Sequence, residues 1–204
     1  MSAGPRVLPS GPQAFLVEYD SLDDVMRVMA DLRAAPPDGV VDLVPGARTI
    51  MVHAPGADWP AIIARLRHVA TDSTAIDDGP LVEIDVRYDG DDLAMVAEAC
   101  SMSVDDVVAA HCSPEYRVAF CGFVPGFAYL VGLDPRLQLP RRATPRTRLA
   151  AGSVAVGGEY TGVYPVAGPG GWHVLGHTDA AMWDADRAVP ALLPPGTRVR
   201  FAAR

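Results

Sequence analysis

The 204-residue chain has no lysine and no asparagine. All its fixed positive charge is therefore arginine, and the 17 basic residues face 25 aspartates and glutamates. This absence excludes a phosphate-loop lysine, a Schiff-base lysine and an N-glycosylation acceptor. An anionic ligand group has to be met by guanidinium, by backbone N–H groups or by a partner chain. Cysteine is scarce: Cys100, Cys112 and Cys121 are odd in number and form no CxxC spacing. That excludes a disulfide framework and suits three reduced thiols in a cytoplasmic protein. No apolar run is long enough to span a bilayer, and the opening MSAGPRVLPSGPQ lacks the apolar core of an export signal. A formal charge of −8 argues against non-specific nucleic-acid binding. There is no GxGxxG, no phosphate loop, no GxSxG elbow, and no repeat of twenty to fifty residues.

Half of the chain is hydrophobic, enough to bury a sizeable core. Residues 1–12 are rich in proline and glycine and read as a flexible lead. A small α+β domain is expected over 13–80. AFLVEY (14–19) reads as a strand, and Ser21 caps a helix whose Val25, Met26, Met29 and Leu32 share an apolar face. Strands follow near 40–44 and 48–53, then a helix from about Asp58 to Ala70. The order β-α-β-β-α points to a ferredoxin-like sandwich. Asp77-Asp78-Gly79-Pro80 reads as a hinge. Residues 81–204 form the second domain, although VEIDVRY (82–88) suits either sheet. Two helices are expected near 91–100 and 104–111, followed by short strands and many turns in a compact β-barrel.

The richest segment is 120–178, where glycine and proline stand beside aromatics and an arginine cluster. Arg141, Arg142, Arg146 and Arg148 surround Ala143-Thr144-Pro145 in an extended run. Bidentate pairing is what a guanidinium does better than an ammonium, so the cluster is either a fork for a carboxylate or phosphoryl group or a solvated loop paired with surplus acids. His111 lies at i+7 from Val104 on an apolar helix face, as a general base or as a satisfied core histidine. His173 and His177 sit in a strand-like context that holds them roughly 13 Å apart at about 3.3 Å per residue, so they cannot share one metal. No metal site is expected. Phe123, Val124, Phe127, Tyr129 and Leu130 flank a turn at Pro125-Gly126, and either form an exposed partner surface or close one end of the barrel.

At FCGFVPGFAYL, PRRATPRTRLAAGSV, TGVYPV and PGGWHVLGHT the chain resembles the family of 5-oxoprolinase B subunits, also known as KipI-like or allophanate hydrolase subunit 1. The resemblance implies an N-terminal α+β domain followed by a cyclophilin-like β-barrel. It implies two partners, a homologous C subunit (allophanate hydrolase subunit 2 type) and an A subunit of LamB/YcsF type. It also implies a small cyclic amide substrate, with ATP and Mg bound by the assembled complex. On this footing Arg146, Arg142 and His111 are the candidate catalytic residues. Phe123, Pro125, Phe127, Tyr164, Gly170, Gly171 and Trp172 are the candidate substrate contacts. The family also admits a regulatory inhibitor of a sporulation-type histidine kinase, or a carboxyltransferase-type protein acting on urea-derived substrates.

Overall fold

The structure, a computed structural model, describes residues 5–72 and 79–204, with side chains described over 5–67 and 79–204. Asp77 and Asp78 of the expected hinge lie outside the described residues. The chain divides into two compact units, Met1–Asp78 and Gly79–Arg204.

In the first unit, β1 (Arg6–Pro9), β2 (Ala14–Glu18), β3 (Asp42–Pro45) and β4 (Thr49–His53) form an antiparallel sheet in the order β1-β2-β4-β3. Helices α1 (Leu22–Ala34) and α2 (Trp59–Asp72) complete the unit. Ser21 caps α1 as its sequence indicates: its hydroxyl accepts from the Asp24 N–H at 3.1 Å. Alternation along β2 and β4 turns Phe15, Val17, Ile50 and Val52 inward, onto Val25, Val28, Met29 and Leu32 of α1 and Ile62 and Leu66 of α2.

Two features differ from the sequence reading. Residues 6–9, expected within a flexible lead, pair with β2 from Arg6 opposite Glu18 to Pro9 opposite Phe15. An edge strand tolerates Pro9 because an edge position can do without one ladder donor. A ferredoxin-like sandwich takes its fourth strand from after the second helix. Here that strand, β5 (Leu81–Val86), joins the second unit, and β1 fills the edge beside β2.

The second unit is a nearly closed barrel. Beyond β5 come α3 (Leu93–Ala99), α4 (Val104–Cys112), β6 (Tyr116–Cys121), β7 (Ala128–Val131) and a short 3-10 turn at Pro135–Leu137. Then follow β8 (Arg146–Leu149), β9 (Ser153–Gly157), β10 (Tyr160–Val163), β11 (Gly168–Gly170), β12 (His173–His177) and β13 (Arg198–Ala203). Seven strands run in the order β12-β9-β10-β7-β6-β13-β5, with β13 and β5 parallel. The two ends of the sheet meet where Arg87 and His177 exchange both backbone hydrogen bonds at 2.8 Å. A Cβ at Gly176 would overlap the Arg87 carbonyl oxygen, so closure at this seam requires glycine. Ile84, Val86, Tyr116, Val118, Leu130, Val154, Val156, Leu175, Val199 and Phe201 form the main core, joined by Val96 and Val107 of the two helices. No helix among the described residues is long and apolar enough to cross a membrane.

Candidate functional site

Outside the barrel, β8 and β11 pair as a separate two-stranded sheet, Gly168 opposite Leu149 and Gly170 opposite Arg146. The arginine run 141–148 is thereby laid along the glycine turn 168–171, and the Arg142 N–H donates to the Gly171 carbonyl at 2.8 Å. A Cβ at Gly170 would stand 2.5 Å from the Tyr164 hydroxyl and 2.6 Å from Leu149 Cδ1. Only glycine lets this strand approach so closely.

Beneath lies an aromatic cluster with Phe127 at its centre. The Phe127 ring meets Tyr164 at 5.2 Å, Trp172 at 5.4 Å and Tyr129 at 5.1 Å, each edge-on. Phe127, Tyr164 and Trp172 are buried. Phe123 caps the cluster, 5.6 Å from Phe127 and 60% exposed. Its φ of +68° is costly for a bulky side chain, and such backbone strain collects at functional loops. A shallow cleft lined by Cys121, Gly122, Phe123, Val124, Pro125 and Gly126 opens at this tip. The Arg141 guanidinium lies over the Trp172 ring at 5.9 Å.

The structure thus brings together all seven residues expected to contact substrate. Of the residues set out in sequence as either a partner surface or one end of the barrel, Phe127 and Leu130 are core, and Val124 and Tyr129 are half-buried. Phe123 is the exposed aromatic at the tip.

Arg142 and Arg146 pair with acids, as one of the two sequence readings has it, but the main partner is buried and not a surface carboxylate. Both hold Asp92, whose side chain is only 4% exposed. Arg142 Nη1 donates to Asp92 Oδ1 at 2.6 Å. Arg146 is bidentate, Nη1 to Oδ2 at 2.6 Å and Nη2 to Oδ1 at 3.0 Å. The Val174 N–H fills the remaining place on Oδ2 at 2.8 Å. Burial pushes the Asp92 carboxyl up, but the Arg146 hydrogen bonds, the Val174 N–H and the two guanidinium charges outweigh it and hold it below its ordinary value. The hydrogen bonds to Asp92 raise Arg146 in turn. Sequence reading missed Asp92, because it stands 50 and 54 residues from its two partners and no motif marks it.

His111, set out in sequence as a general base or a core histidine, is a core histidine. It is fully buried and stacks on Phe201 at 4.6 Å. Thr161 Oγ1 donates to the Ala155 carbonyl, so it accepts from His111 Nε2–H at 2.9 Å. His111 Nδ1 then accepts from the Tyr88 hydroxyl at 2.7 Å, and the Cys112 thiol lies 3.1 Å from the same hydroxyl. Both ring nitrogens are satisfied, and burial lowers the imidazole from 6.5 to about 3. None of the side chain is exposed to solvent. His173 and His177 bind different groups, the Pro140 carbonyl and the Asp89 carboxylate. Among the described residues no group of three histidines, cysteines or carboxylates could hold a metal ion.

The family description "Carboxyltransferase domain, subdomain C and D" matches residues 5–193. The chain belongs to this family. It is 45% identical over 168 residues to a protein of Escherichia coli O157:H7 named as the B subunit of 5-oxoprolinase, covering 79% of this chain and 77% of the relative. A protein of the same name from Haemophilus influenzae is 38% identical over 167 residues, covering 79% and 78%. Among solved structures, TTHA0988 superposes with a TM-score of 0.79 at 37% identity. That match covers 94% of this chain but only 40% of TTHA0988, so this member of the carboxyltransferase C and D family spans well under half of that longer protein.

Proposed function

We propose that the chain is one subunit of an ATP-dependent 5-oxoprolinase, which converts 5-oxo-L-proline, ATP and water to L-glutamate, ADP and phosphate. The observation that carries this reading is the fixed arginine pair beside a buried aromatic wall and a glycine strand, in a chain 45% identical to a named B subunit of that enzyme. A cyclic amide presents an apolar ring, an amide oxygen and a carboxylate. The aromatic wall suits the first, and guanidinium and backbone N–H groups suit the charged oxygens. Opening the lactam is coupled to ATP, and cations are needed wherever phosphoryl charge develops.

This chain does not by itself furnish a nucleotide and magnesium site. It has no lysine, and its described residues hold no cluster of metal ligands. The proposal therefore assigns ATP and Mg to the assembled complex, whose other members are a homologous C subunit and a protein of LamB/YcsF type. The test is co-expression with those partners and an assay of ATP-dependent glutamate release from 5-oxoproline. Turnover is expected from the complex and not from the purified chain. No turnover by a correctly assembled complex would overturn the reading, as would robust turnover by the chain alone.

A further inference from the structure

We infer that Asp92 is the positioning residue of the site: it holds Arg142 and Arg146 in one arrangement that keeps a net positive charge for an oxyanion of the ligand. The inference rests on the functional reading above and adds to it the residue that organises the arginines.

Three observations carry it. The first is charge. Two guanidiniums surround one buried carboxylate, so one positive charge is left over at the centre of the cluster. Among the described residues the other acid paired with Arg146 is Asp91, 3.7 Å from Nη2 and 79% exposed, where water screens it. The second is valence. Two oxygens of a carboxylate offer about four acceptor places, and Asp92 has four donors on them. Its capacity is filled, whereas that of its partners is not: Arg142 gives Asp92 one of its N–H groups, and its Nε is buried with no partner. The third is place. Gly170 pairs with Arg146, Gly171 accepts from the Arg142 backbone, and Trp172 follows in the chain beside Phe127 and Tyr164. The arginine run is therefore laid beside the strand that leads into Trp172 and the aromatic cluster.

A triad that served only to tie β8 to the barrel would need no surplus charge and no unfilled donors. A solvated arginine pair without Asp92 would have the charge but no fixed direction. Asp92 removes the rotamer freedom of two long side chains before any ligand arrives, which is what preorganisation of an anion site requires. The oxyanion is the substrate carboxylate or a transferring phosphoryl group, chemistries that the same fork accommodates.

Asp92→Asn in the co-expressed complex is the direct test, assayed well below the unfolding midpoint of the variant. A group displaced by about 1 Å from its productive position can cost about 10²-fold, and a loss of that order in kcat/KM is expected. A rise in KM for 5-oxoproline identifies the carboxylate, and a rise in KM for ATP identifies the phosphoryl group. Arg146→Ala should lose a similar factor, and the double variant little more, because Asp92 acts through the arginines. A folded Asp92→Asn complex with wild-type kcat/KM would overturn the inference, as would losses that simply multiply. A second measurement needs no activity and so separates this inference from the reading it rests on. The Nε–Hε NMR signals of Arg142 and Arg146 in the full chain are titrated with inorganic phosphate and with acetate. Saturable shifts in the wild type that vanish in Asp92→Asn are expected. Their absence in the wild type would refute the inference even if the complex hydrolyses 5-oxoproline.

Discussion

Lowering the pH tests the placement of His111. In the unfolded chain this imidazole titrates near 6.5, whereas burial lowers it to about 3 in the fold. Its folded value is the depressed one, so the neutral form is native, and below about pH 6.5 only the unfolded chain takes up the proton. Stability is therefore complete above that value and falls as the pH drops. At 1.36 kcal/mol per pH unit the loss is about 2 kcal/mol by about pH 5 and about 5 kcal/mol by about pH 3. The groups in contact with the ring are the Tyr88 hydroxyl, the Thr161 hydroxyl, and the Tyr116 and Phe201 rings, with the Cys112 thiol behind Tyr88. No carboxylate faces the ring from these neighbours to rescue its charged form. With a urea m-value of about 2 kcal/mol per molar, the midpoint should fall by about 1 M between pH 7 and about pH 5. Fluorescence of Trp172 and Trp183 reports on this unit, while Trp59 reports on the other. His111→Gln should be less stable at pH 7 but have a flatter pH dependence. Equal slopes in the two proteins, or a folded-state NMR titration of His111 near 6.5, would refute the assignment.

The remaining expectations concern packing and charge. Phe127→Ala removes the hub of the aromatic cluster and should cost about 3–5 kcal/mol in thermal or urea melts, whereas Phe123→Ala at the exposed tip should change stability by less than about 0.5 kcal/mol. If Phe123 meets a partner in the complex, its loss should show as weaker co-purification. Gly176→Ala forces a Cβ into the Arg87 carbonyl and should destabilise by about 1–3 kcal/mol, with faster amide exchange at the Arg87–His177 seam. Arg146→Ala should lower turnover of the complex strongly. It should also destabilise the chain, up to about 3 kcal/mol, because Asp92 keeps only Arg142 as a cation. A fold of unchanged stability would mean that Asp92 is solvated.

How legible this was depends on whether the governing contacts are local. The Ser21 cap and the apolar stripe of α1 are set within a few residues, and periodicity found them. For His111 the spacing from Val107 and Val108 suggests an apolar face but leaves general base and core histidine both open, and Val104 of that pattern is exposed; the contacts that bury the ring come from Tyr88, Thr161 and Phe201, far away in the chain. What periodicity could not reach is pairing across long separations. The edge strand β1 is only four residues long, preceded by Pro5 and ending on Pro9, so it looks like a lead until β2 is known to lie beside it. Strand β5 alternates equally well for either sheet. Only the parallel ladder to β13, more than a hundred residues later, assigns it. Asp92 is invisible for the same reason.

The lack of lysine gains a structural meaning at this carboxylate. Asp92 is reached from two directions by groups that must each fill a set acceptor place, one guanidinium spanning both oxygens and the other taking a single lone pair. An ammonium is a compact point charge and could not span the two oxygens in one plane as Arg146 does. It would also be more strongly hydrated, and so costlier to hold at a site three-quarters removed from solvent. Arginine alone combines permanent charge, a flat fork that spans both oxygens of a carboxylate, and donors left over after the internal acid is satisfied. A chain that meets anions only with arginine thus places its charge where direction matters as much as sign.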